Sequence, residues 1–193
     1  DSALDVHADG SVALNALSGV LVAAGNFSLD LGQVSTTAPS NGVSFTNADA
    51  VSVTLTGASV FVGVGGSLTN ATSTASVVNG TLGFGGSVTS LKVVSIKDTN
   101  NGSASLLDDK NYLGVEASGL TADLIGLESV LVFHASAAVK VNKATDTDAN
   151  PLTTPAKLDW DSLTTSGLGL AALTIDSALD VHADGSVALN ALS

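Results

Sequence analysis

The chain has 193 residues, 45% of them hydrophobic, with 20 Gly, one Trp, one Tyr and neither Cys nor Met. Its 18 acidic residues against six Lys and no Arg give a formal charge of -12, which argues against nucleic-acid binding, since phosphate contacts need a cationic face. The lack of Cys removes disulfide and thiolate chemistry, and no apolar run reaches the roughly 18 residues that a membrane-spanning helix needs.

In chain order, residues 3–16 come first, reading ALDVHA, DG, SVALNA. Leu4, Val6 and Ala8 alternate with polar neighbours, as do Val12, Leu14 and Ala16. Period-2 alternation marks half-buried strands, and Asp9-Gly10 between them predicts a two-residue hairpin turn. The phrase recurs as VLVAA-GN-FSLDL over 20–31, SVFVGV-GG-SLT over 59–69 and TLGF-GG-SVTSLKVVSI over 81–96. YLGVEA-SG-LTADLIG over 112–126 and SVLVFHA-SA-AVKVN over 129–142 complete the set. The unit is thus predicted to hold about six related hairpins. Residues 35–42, 97–104 and 144–156 lack apolar periodicity and predict loops. A weak helical signal lies at 155–165, with Pro155 near its start.

The chain then returns to its own beginning. DSALDVHADGSVALNALS occupies 1–18 and, unchanged, 176–193, an offset of 175 residues. Such self-similarity predicts a tandem array, with residues 1–175 as one unit and 176–193 as the start of the next. Each copy then covers the sheet edge left open by its neighbour. The expected architecture is all-β: an elongated antiparallel hairpin meander wrapping into a tube or solenoid. Its inner face is predicted to carry Leu4, Val6, Val12, Leu14, Val20, Val22, Phe27, Leu29 and Leu31. The alternative is a string of β-sandwich domains, one per unit.

Candidate chemistry is sparse. Asp146, Asp148 and Asn150 follow a D-x-D-x-N spacing that sets oxygen ligands on one side of a turn, as Ca2+ prefers. The positions that a helix-loop-helix calcium site fills with Gly and an acid hold Pro151 and Lys157 instead. Asp98 with Asn100 and Asn101, and Asp108 with Asp109, form lesser oxygen clusters. No other cofactor is implied. His7 (with its copy His182) and His134 lack metal-ligand spacing and read as surface or satisfied strand residues. No G-x-S-x-G, phosphate loop or H-E-x-x-H occurs, so no catalytic residue is assigned and a non-enzyme is expected. Trp160 in KLDWDSL reads as a core plug before a sugar-stacking platform.

The stretches NYLGVEASGLTADLIGLESVLVFHASAAVKVNKATDTD, KLDWDSLT and SGVLVAAGNFSLDLG resemble the long repeats of giant secreted bacterial surface proteins, the RTX-associated or adhesin-like polypeptides. The resemblance implies secretion, an elongated β-architecture and a structural role in attachment, a filament or the cell surface. Partners are then neighbouring repeats of the same chain, laterally associated fibres or cell surfaces. The G-G-x-G-x-D nonapeptides that bind Ca2+ in RTX proteins are absent from this sequence.

Overall fold

The computed structural model of the chain describes residues 5–99, 109–146 and 155–191. The alternating segments form an antiparallel sheet with long strands: β1 (Val6–Ala16), β2 (Leu21–Thr36), β3 (Ala48–Val64), β6 (Leu82–Asp98), β7 (Lys110–Ile125), β8 (Leu131–Asp146) and β10 (Val181–Ala191), ordered β1-β2-β3-β6-β7-β8-β10. The short β9 (Thr165–Gly167) pairs with β2, and β4 (Ser67–Leu68) pairs with β5 (Val77–Val78) in a small excursion. The all-β expectation holds. The sheet is open, however, with β1 and β10 at its two edges.

The expected turn at Asp9-Gly10 is not made: β1 runs straight through it. Gly25-Asn26, Gly85-Gly86, Ser118-Gly119 and Ser136-Ala137 likewise lie inside β2, β6, β7 and β8. Only Gly65-Gly66 sits at a strand end, where Gly65 has φ 81°. Parity explains the difference. A two-residue turn at 9–10 sets residue 6 beside 13 and residue 7 beside 12, so Val6 and Val12 land on opposite faces. A continuous strand keeps Val6, Ala8, Val12 and Leu14 on one face. The 155–165 segment is also not helical; it holds bends and leads into β9.

Pairing defines the two faces. One row of partners runs Ala8, Leu29, Val53, Val93, Val115, Val141, Val181 across all seven long strands. A second runs Leu14, Ala23, Val60, Gly86, Ala122, Ala135, Val187. Both rows lie on the same face, here called the open face. It carries Val12, Leu14, Val62, Phe84, Val187 and Leu189, all exposed. Of the expected inner-face residues, Val6, Val12, Leu14, Phe27, Leu29 and Leu31 share it. Val22 is fully buried on the opposite face, Val20 lies in the turn before β2, and Leu4 is outside the described residues.

The opposite face is covered. Val34, Ala48, Ala50, Val94, Ile96 and Tyr112 pack against Phe45 and against Leu158, Trp160, Leu173 and Ile175 from the 155–180 segment. Toward the other end, Phe61 and Val22 are buried beneath the β4–β5 excursion, where Gly66 donates its N–H to the Gly19 carbonyl.

The three central strands each carry one extra residue at mid-length. The register steps between Ala24 and Asn26 in the β2–β3 ladder and back between Ala117 and Leu120 in the β7–β8 ladder. Gly57 and Gly119, at φ 58° and 61°, flank Thr89 in one line across β3, β6 and β7. Extra residues of this kind bend strands and sharpen their twist. A shallow apolar groove of about 530 Å3 lies along this line on the open face, lined by Val12, Leu14, Leu55, Val60, Val88 and Leu120 among others.

Candidate assembly interface

The two edge strands have one sequence, VHADGSVALNA. They stand six strands apart in an antiparallel sheet, so they run in the same direction. Val6 and its copy Val181 face the same side. With direction and face both equal, β1 uses one edge to pair with β2 and β10 uses the other edge to pair with β8. One sequence therefore has two compatible partners, one on each side.

The chain reaches β10 by a crossing. From β9 on β2, the 168–176 segment runs transversely over β3, β6, β7 and β8, and polar side chains from each strand hold its backbone. The Ala171 N–H donates to Ser52 Oγ at 3.0 Å, and Lys92 Nζ donates to the Ala172 carbonyl at 2.8 Å. The Thr174 N–H donates to Glu116 Oε2 at 2.7 Å, and Lys140 Nζ donates to the Thr174 carbonyl at 2.8 Å. Asn142 Nδ2 donates to the carbonyls of Leu158 (2.8 Å) and Asp176 (2.9 Å), while its Oδ1 accepts the Trp160 indole N–H at 2.9 Å. An irregular segment laid over a sheet needs such partners, because its backbone groups have no ladder. Partial burial opposes ionisation of Glu116. The Thr174 hydrogen bonds and the nearby Lys140 and Lys92 ammonium groups outweigh it and hold the carboxyl below its usual range.

Lys157 Nζ closes the handover, donating to Asp180 Oδ1 and to the Leu179 carbonyl, both at 2.8 Å. The Asn142 backbone N–H donates to the Asp180 carbonyl, also at 2.8 Å. The start of β10 is thus fixed onto β8.

Histidines line the covered face near the edges. His7 Nδ1 lies 2.5 Å from Asp30 Oδ1 and its Nε2 3.1 Å from Asp9 Oδ1. The Asp30 hydrogen bond and charge, with a smaller contribution from Asp9, raise its pKa. His134 Nδ1 meets Asp123 on β7, and His182 Nε2 lies 3.2 Å from Asp184. These are cross-strand and local His–Asp contacts, and among the described residues they form no metal-ligand grouping.

Of the expected Ca2+ ligands, Asp146 ends β8 opposite Lys110, while Asp148 and Asn150 lie outside the described residues. Asp98 and Asp109 are buried at the same end of the sheet, and Asn100, Asn101 and Asp108 are outside the described residues. Among the described residues no three His, Asp or Glu side chains are placed to hold a metal ion. Trp160 is 5% exposed and presents no stacking face. Sequence reasoning missed Ser52, Lys92, Glu116, Lys140 and Asn142. Their signal was a polar residue at an inward position of an apolar strand. The chain matches no protein-family model, no curated protein and no solved structure.

Proposed function

We propose that the chain is one 175-residue repeat, with the start of the next, of a long extracellular structural protein: a fibre or cell-surface adhesin without catalytic activity. One observation carries this reading. The duplicated segment forms both edges of one sheet, in the same direction and on the same face, with a different side engaged at each. Repeats arranged this way extend a sheet without leaving an interior edge, and their stability comes from neighbour contacts. The uncovered apolar face supports a further curling of the extended sheet into a tube or solenoid that encloses it, since an apolar face of this extent is unfavourable in water. The acidic composition suits a long soluble polymer.

Electron microscopy of the secreted parent protein tests the proposal. Extended particles with a regular axial repeat are expected, and antibodies against the chain should label intact source cells. Globular particles without periodicity would sink the fibre reading, and labelling only after cell lysis would sink the surface location.

A further inference from the structure

The outer edge of β10 is specified in detail by the other end of the same sheet. We infer that it accepts the Leu21–Leu31 segment of the following copy, with Val181 opposite that copy's Leu31 and Ala191 opposite its Leu21. This rests on the repeat reading above and deepens it by naming partner and register.

Three observations carry it. First, β1 shows how this strand sequence binds that segment: Val6 pairs with Leu31, Ala13 with Ala24 and Ala16 with Leu21. The edge β1 uses there is the one β10 leaves open. Second, the lattice is consistent along the whole strand. The row from Ala8 reaches Val181, the copy of Val6, and the row from Leu14 reaches Val187, the copy of Val12. Both halves of the sheet therefore return to the duplicated sequence displaced by two residues, despite the extra residues in the centre. An even displacement keeps every side chain on its face. Third, the side chains at the junction fit. Gly10 lies against the Phe27 ring, at 3.4 Å from Cε1 for an added Cβ, and Gly185 offers the following copy's Phe27 the same flat place. On the covered face the cross-strand row Lys92, Glu116, Lys140 alternates in charge and ends at His182. Asp30 of the following copy then stands beside His182 as Asp30 stands beside His7.

Each unit then adds six strands. That advances the sheet by about 29 Å across the strands and about 7 Å along them, at typical strand spacing and rise.

The 193-residue chain has no cysteine, so a variant with Ala188→Cys carries a single thiol at the open edge. The probe is a synthetic peptide of sequence 21–36 carrying Ala24→Cys or, as a register control, Ala23→Cys. Mild oxidation is expected to cross-link the Ala24→Cys peptide and to leave the Ala23→Cys peptide free. The Ala13→Cys/Ala24→Cys chain, which should close its own disulfide, shows that the pair is competent. With the unsubstituted chain and peptide, every second amide across 181–191 should lose exchange. Equal cross-linking by both peptides, or none while the intramolecular pair closes, overturns the register and the edge. A periodic fibre without peptide capture overturns this junction but leaves the repeat reading. Capture with an aperiodic parent does the reverse.

Discussion

The Trp160 indole N–H and Asn142 Oδ1, 2.9 Å apart, join the 155–180 covering segment to β8 at a site closed to solvent. Asn142 is 2% exposed and its amide also holds the Leu158 and Asp176 carbonyls. Directly beneath, Gly114 has no room for a side chain, since an added Cβ would stand 2.8 Å from Trp160 Cε2.

Asn142→Ala leaves a buried indole donor and two carbonyls without these partners. Each unsatisfied buried group costs about 1–3 kcal/mol, so the variant should lose roughly 3 kcal/mol or more of stability. Denaturant unfolding followed by the fluorescence of the single Trp measures this directly. Gly114→Ala should cost roughly 1–3 kcal/mol by overpacking alone, with the Asn142 hydrogen bonds retained. Loss of less than about 0.5 kcal/mol in either variant, the range of ordinary surface changes, would contradict this packing.

The central line of extra residues gives a second test. Gly57 has φ 58° and open space around it, so Gly57→Ala meets only the backbone penalty, about 1–2 kcal/mol. Gly57→Asn should cost less, because Asn tolerates this conformation. Gly119 has φ 61° and would also place a Cβ 2.8 Å from Thr89 Cβ, so Gly119→Ala should be worse than Gly57→Ala. Thermal unfolding of the three variants ranks them; an inverted order would refute the arrangement.

The strand content and most of the open face were legible in the sequence, because Val6, Val12, Leu14, Phe27, Leu29 and Leu31 alternate with polar residues. The turns were misread for a reason also present there. Asp9-Gly10 has turn chemistry, but the even-numbered apolar series passes through it in phase, and only a continuous strand uses that phase. Gly57 and Gly119 were different, since the apolar series changes phase around them, from Leu55 to Ala58 and from Ala117 to Leu120. The crossing was hidden because its partners are remote: Ser52 lies 119 residues from Ala171, and Lys92 lies 80 from Ala172. No local pattern encodes such pairings.

The single Tyr gives a clean alkaline test. Burial, together with the charges of Asp98 and Asp146, pushes Tyr112 up to about 12 from 10.0. A raised folded pKa means that its contribution to stability is complete below the unfolded value and is lost as pH rises through the folded one. Phenolate absorbance should therefore appear near pH 12, together with loss of the folded signal of Trp160. A midpoint near 10.0 with the fold intact would contradict the burial of Tyr112.

At the β1 edge, His7 titrates between two carboxylates. Neutral imidazole has one N–H, so only the imidazolium donates to Asp30 and Asp9 together. Its pKa is raised from 6.5. The stabilisation is therefore fully present below 6.5 and fades as pH rises through the higher folded value. His7 and Asp9 are exposed and Asp30 partly so, and the effect is therefore modest and should weaken with salt. Amides in the β1–β2 ladder should open more readily above that pH, after correction for the intrinsic pH dependence of exchange. Asp30→Asn should remove most of the change, and Asp9→Asn a smaller part, following the order of their effects on His7. NMR titration of His7, assigned with a His182→Gln variant, reads the pKa itself. A His7 value at or below 6.5, or ladder opening that is indifferent to Asp30→Asn, would refute the pairing as the source of edge stability.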